Sequence, residues 1–226
     1  MLKICLVIDL DDTLYDAEAA YSYALKSVGI DPLSVDFSQA RQTIKARLGE
    51  GHVGARNRIL YFKQFLDGQS RYSHSAILEL MEKYEKFLAD HIENQWALLG
   101  RQKLFEKRLS QVPKVILTNE NLRTQMIKLS AIDPKGTLFP QVITSEEMGV
   151  EKPNLKLFER ALEILKCDPK NCFMVGDNWD TDLVPALEMG MKGVCSTEFR
   201  KLKSDVKIPD SVKVISRLDE LESVFS

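Results

Sequence analysis

Ile4-Cys5-Leu6-Val7-Ile8-Asp9-Leu10-Asp11-Asp12-Thr13-Leu14 decides the fold, because an apolar run ends there in three carboxylates within four residues. A run too short to span a bilayer reads as a strand buried on both faces of a parallel sheet. In an extended chain residues i and i+2 point the same way, so Asp9 and Asp11 share one side of the strand's carboxyl end and Leu10 takes the other. Open α/β sheets bind their ligands at that edge. Alone, the stretch is equally an Asp-rich turn after a core strand, with Asp12 a turn residue, and the rest of the chain has to decide.

After Leu14 the rhythm changes to helix. Tyr21, Ala24, Leu25 and Val28 recur at helical spacing, as do Phe37, Ala40, Ile44 and Leu48; Ile59, Phe62 and Leu66; and Ile77, Leu80, Met81, Tyr84, Phe87 and Leu88. Turn-forming breaks at Gly29-Ile30-Asp31-Pro32, Gly49-Glu50-Gly51 and Asp67-Gly68 separate them. From about Gly100 helix and strand alternate, with strands predicted at Lys114–Thr118, Gln141–Thr144, Cys172–Gly176, Met191–Cys195 and Val212–Ile215. Repeated β–α units predict right-handed crossovers and an α/β, three-layer, Rossmann-like parallel sheet, with the helical bundle inserted after the first strand. The division is 1–14 and 98–226 for the core and 15–97 for the insertion. The one soft region expected is Ser196 to Asp210.

In a chain of 226 residues with 44 % hydrophobic content there is enough apolar side chain for a large core. Lys plus Arg (31) nearly balances Asp plus Glu (33), which argues against a nucleic-acid polymer or an acidic membrane as partner and for a small molecule. The four cysteines, Cys5, Cys167, Cys172 and Cys195, form no CxxC pair and read as reduced, buried thiols. The strand begins almost at the N-terminus and no apolar run approaches the roughly 18 residues of a membrane span, so a cytoplasmic location is expected.

Polar residues gather at the predicted carboxyl ends of the strands: Asp9 and Asp11, Thr118-Asn119, Lys152-Pro153 in the loop after Ile143, and Gly176-Asp177 followed by Asp182. Singly, Thr118-Asn119 reads as a helix cap, Lys152-Pro153 as an exposed loop and Asp182 as a first-turn carboxylate. Together at one sheet edge they imply chemistry. Clustered carboxylates repel unless a cation and an anion meet among them, and Mg²⁺ with a phosphate satisfies that balance.

The set resembles the haloacid dehalogenase superfamily of phosphotransferases. The four motifs stand here in order as Asp9-Leu10-Asp11-Asp12-Thr13, Thr118, Lys152-Pro153 and Gly176-Asp177-Asn178-Trp179-Asp180-Thr181-Asp182. The resemblance implies that Asp9 is the nucleophile, becoming an aspartyl phosphate, and Asp11 the acid and base. It implies that Thr118 and Lys152 hold the phosphoryl oxygens, that Mg²⁺ lies on Asp9, Asp177 and the Asp11 carbonyl, and that Asp182 supports Lys152 or a metal-bound water. The helical insertion looks like a cap over the site.

Within that superfamily Asp11 favours phosphoryl transfer over dehalogenation, whose members resemble Asp-x-Tyr at this point. A phosphomutase of the same fold is an alternative, against which stands Asp12 where mutases usually carry Gly. A receiver module is a more distant alternative, since such modules are about half this length. The substrate expected is a small phosphate monoester: the motifs look like the branch of nucleotide, flavin-precursor and acylneuraminate phosphatases, and sugar phosphates also fit. Thr118, Asn119 and Lys152 are expected to bind it. In the basic segment from Arg41 to Arg58, His52 and Arg56 are expected to reach its polar end, with Tyr15, Tyr21 and Trp96 next.

Overall fold

The first strand forms where the apolar run predicts it. In the computed structural model, which describes residues 4–49, 51–204 and 206–225, β1 (Cys5–Ile8) is buried along its whole length. It is joined by β2 (Lys114–Thr118), β3 (Val142–Thr144), β4 (Cys172–Gly176), β5 (Lys192–Ser196) and β6 (Val212–Ile215). All pair in parallel, in the order β3-β2-β1-β4-β5-β6. The chain thus builds outward from β1 through β2 to β3, then returns to the other side of β1 for β4. Ligands of doubly wound sheets sit where the order reverses, here between the carboxyl ends of β1 and β4.

The two faces of the sheet explain the uninterrupted apolar strands. Leu6 and Ile8 point with Leu10, Ile116, Val175 and Val194 into one core. Cys5 and Val7 point with Val115, Leu117, Cys172 and Met174 into the other, against Leu157, Phe158 and Ala161. Alternate residues of one strand therefore serve different cores. The four cysteines are free thiols, and Cys5, Cys172 and Cys195 are buried.

The helices are α1 (Ala17–Ser27), α2 (Val35–Leu48), α3 (Arg58–Gly68), α4 (His74–Leu98), α5 (Arg101–Lys103), α6 (Leu122–Ile132), α7 (Ser145–Met148), α8 (Leu155–Leu165), α9 (Val184–Glu188) and α10 (Leu221–Val224). The first four lie between β1 and β2 and start on side-chain caps from Asp16, Ser34, Asn57 and Ser73. Their buried residues, Phe37, Phe62, Met81 and Tyr84 among them, join the same apolar cluster as Leu6 and Ile8. At 25 residues, α4 is roughly 37 Å long; it runs unbroken through Asn94 to Leu98, and its Trp96 stacks on Phe105. A wide π-type turn at Trp179–Leu183, which the periodicity does not predict, precedes α9. Among the described residues no helix is long and apolar enough to cross a membrane.

Candidate active site

Asp9 follows β1 directly, and its backbone N–H adds one more ladder bond, to Val175 O at 2.9 Å. Its buried side chain meets Lys152, whose Nζ donates to Asp9 Oδ1 at 2.5 Å, to Asp182 Oδ1 at 2.6 Å and to Leu117 O at 3.0 Å. Lys152 is held by Asn119, whose amide accepts from Lys152 N at 2.7 Å and donates to Lys152 O at 3.0 Å. Asn119 lines the site, and the contacts its amide makes position the lysine.

Asp182 reaches Lys152 from the π-type turn, its Oδ2 accepting from Asn178 N at 3.1 Å. The approach requires glycine at 176: a Cβ there would stand 2.5 Å from Asp182 Oδ2. Asp177 completes the group. The Thr13 hydroxyl lies 3.3 Å from both Asp9 Oδ2 and Asp177 Oδ1, and Arg200 Nη1 donates to Asp177 Oδ2 at 3.0 Å.

Burial pushes the Asp9 carboxyl well above its usual range; Lys152 pulls it back in part, while Asp182 and Asp177 push it further up. Burial and Asp182 likewise raise Asp177, against Arg200. Burial works against the Lys152 charge, but Asp182 and Asp9 outweigh it and hold the ammonium protonated. Three carboxylates, with one oxygen each inside a mutual 4.8 Å, thus share one buried ammonium and the guanidinium of the half-exposed Arg200. Such an all-oxygen, cation-deficient set fits a hard divalent ion such as Mg²⁺.

Asp11 lies in a different environment. Lys128 Nζ donates to its two oxygens at 2.9 and 2.7 Å, Tyr15 OH at 2.9 Å, Tyr21 OH at 3.3 Å and Gln125 Nε2 at 3.4 Å. Burial opposes its charge, but Lys128 and these hydrogen bonds outweigh burial, and the carboxyl lies below its usual range. Gln125 also donates to Thr118 Oγ1 at 2.6 Å, linking the two residues. Lys128 is fully buried on α6, on a face it shares with Gln125, Leu129 and Ile132. Sequence reasoning passed over it, though a lysine at a core-facing helical position was the available signal. Arg200 was missed inside the region read as soft.

Asp9, Asp11, Thr118, Asn119, Lys152, Asp177 and Asp182 line one cavity of about 700 Å³. From the helical insertion it is lined by Tyr21, Arg41, Arg56, Arg58, Tyr61 and Tyr84. His52 is not in that lining, which corrects its expected substrate contact: it is exposed, and its Nδ1 accepts from Gly54 N at 3.0 Å as a local cap. Arg56 lines the cavity and bonds Glu151 at 3.1 Å, bridging the insertion to the loop before Lys152. Trp96 is core, donating to Gln102 at 2.9 Å. Tyr15 is buried behind Asp11.

A parallel doubly wound sheet with this acidic, lysine-centred edge defines a class of hydrolase sites, and the comparison with known sequences agrees. The haloacid dehalogenase-like hydrolase family matches residues 5–190, and the chain belongs to it. Glyceraldehyde 3-phosphate phosphatase of Methanothermobacter thermautotrophicus is 34 % identical over 90 residues, a match confined to 38 % of this chain and 40 % of the relative. The protein of that name from Pyrococcus furiosus is 26 % identical over 222 residues, covering 96 % of this chain and 90 % of its own. Among solved structures, the HAD-hydrolase YfnB from Bacillus subtilis matches with a TM-score of 0.64 over 99 % of both chains at 24 % identity, a likeness of fold.

Proposed function

We propose that the chain is a phosphatase that removes phosphate from a small sugar-phosphate monoester through an aspartyl phosphate on Asp9, with Mg²⁺ as cofactor. The observation that carries this reading is that Asp9, directly after β1, shares one cavity with Asp11, Thr118, Lys152 and Asp177, with the Lys152 ammonium on its carboxylate. Asp9 lies among carboxylates and one shared ammonium, and Asp11 is held ionised by its own lysine. The glyceraldehyde 3-phosphate phosphatases among the relatives support the choice of ester.

In the first step an Asp9 oxygen forms a bond to phosphorus, the ester P–O bond breaks, and the departing alkoxide takes a proton from Asp11. Asp11, ionised in the free protein, takes up that proton from solvent as the phosphate dianion enters beside it and raises its proton affinity. In the second step water attacks phosphorus, gives a proton to Asp11, and the P–O bond to Asp9 breaks. Lys152 offsets repulsion between Asp9 and the dianion, and the Thr118 hydroxyl, oriented by Gln125, donates to a phosphoryl oxygen. Asp9, Asp177 and the Asp11 carbonyl would hold Mg²⁺, which supplies further neutralisation of phosphoryl charge. Residues 15–97 act as a cap on the core formed by 1–14 and 98–226, and water is kept from the reaction by that cover.

Hydrolysis of p-nitrophenyl phosphate with Mg²⁺ tests the reading. Wild type should turn over repeatedly and Asp9→Asn should lose activity by several orders of magnitude while its thermal unfolding remains cooperative. Equal rates would remove Asp9 as nucleophile.

A further inference from the structure

The insertion brings an excess of cations to the cavity. Arg41 on α2, Arg56 before α3 and Arg58 at the start of α3 all line it. Two are matched by carboxylates: Arg58 by Glu120 at 3.0 Å and Arg56 by Glu151 at 3.1 Å. Among the described residues Arg41 has no carboxylate within ion-pair distance. Its guanidinium stands 5.9 Å from the Tyr61 ring centroid, and Arg58 stands 5.9 Å from the same ring and 4.3 Å from that of Tyr21. Two guanidinium groups thus converge on one tyrosine at the cavity wall. Lys45, one turn along α2, is lowered first by burial and then by Arg41, Arg56 and Arg58 in turn, as expected of a cation in a field of like charge.

Gathering like charges is unfavourable unless an anion joins them. The phosphate of the ester does not fill that place, because Lys152 and Thr118 receive it at the strand ends. Guanidinium groups are matched in shape to carboxylate and phosphate, through paired N–H donors.

We propose that the substrate carries a second anionic group, a carboxylate or a second phosphate, received by Arg41 beside the Arg58–Tyr61 wall. This rests on the phosphatase reading and narrows the ester to a phosphorylated sugar acid or a sugar bisphosphate. Glyceraldehyde 3-phosphate itself has no such group, so the wall would set this chain's preference apart from that ester.

The test compares kcat/KM within two pairs of esters, 3-phosphoglycerate against glycerol 3-phosphate and fructose 1,6-bisphosphate against fructose 6-phosphate, for wild type, Arg41→Gln and Arg41→Glu. Arg41 is exposed on α2, so both variants should fold, which thermal unfolding would verify. Wild type should favour the more anionic member of at least one pair by roughly tenfold or more. That ratio should fall most of the way to one in Arg41→Gln and invert in Arg41→Glu. The first pair reports a carboxylate, the second a phosphate. Phosphate release with no preference in either pair, or a preference unmoved by both variants, would overturn the inference and leave the phosphatase reading standing. No release from any of these esters or from p-nitrophenyl phosphate would overturn both.

Discussion

Replacing Lys128 with methionine removes a buried ammonium and keeps most of the side chain's volume, so the effect reports the charge and its hydrogen bonds. Lys128 is fully buried and binds both oxygens of Asp11, which is about a quarter exposed to the cavity. Breaking a buried ion pair by removing one partner costs about 3–5 kcal/mol. Asp11 retains Tyr15, Tyr21 and Gln125 as donors and some contact with solvent, so a value nearer about 2–3 kcal/mol is expected here. In a chain of this length that is a fall of about 5–10 °C in Tm. Adding Asp11→Asn should recover part of the loss, because the stranded negative charge disappears, and the double-mutant cycle should give a coupling of roughly 1–2 kcal/mol. In turnover, Lys128→Met should act most on esters with poor leaving groups, which depend on the proton from Asp11, and much less on p-nitrophenyl phosphate. Thermal unfolding by circular dichroism and a series of aryl and alkyl phosphates measure both. A variant with wild-type Tm and an unchanged leaving-group dependence would refute the role of Lys128 in holding Asp11.

Two further outcomes follow from the same geometry. Gly176→Ala should destabilise the fold and lower turnover at least tenfold, since the new Cβ displaces Asp182 from Lys152; unaltered kinetics would show that Asp182 can move without loss. Asp12 is pushed up to about 6, first by burial and then by Asp11 and Asp177. Its folded form therefore binds more protons than its unfolded form, and its contribution to stability is lost as pH rises from its ordinary 3.8 through about 6. Asp12→Asn, which keeps a carbonyl acceptor for Ala17 N and tolerates the positive φ of 59°, should flatten the decline in Tm between pH 4 and pH 7 measured in EDTA; an identical decline would assign it to other groups.

The parts of this protein legible in the sequence are those governed by periodicity and by strand ends. An apolar run with Asp at its carboxyl end carries its own geometry, and the parallel sheet then brings Thr118 and Asp177 to the same edge. Lys128 was not legible as a partner of Asp11, because a lysine within an amphipathic helix ordinarily keeps its charge in water. Only the packing of α6 against α4 and beside Asp11 shows that it cannot. Arg200 lies in a stretch without regular structure, where no period fixes direction. His52 and Arg58 were misjudged relative to each other for a similar reason: the path of the turn between α2 and α3 determines which of them faces the cavity. The π-type turn that aims Asp182 at Lys152 leaves no trace in hydrophobic spacing either.

The covalent step is the centre of the account, and chemical trapping tests it most directly. Enzyme mixed with excess substrate and Mg²⁺, quenched in acid during turnover and reduced with borohydride should carry homoserine in place of Asp9 in the peptide containing residues 4–14, as read by mass spectrometry. Asp9→Asn treated alike should carry none. Unmodified Asp9 in wild type during steady turnover, or homoserine at Asp11 instead, would contradict the assignment of Asp9 as the nucleophile.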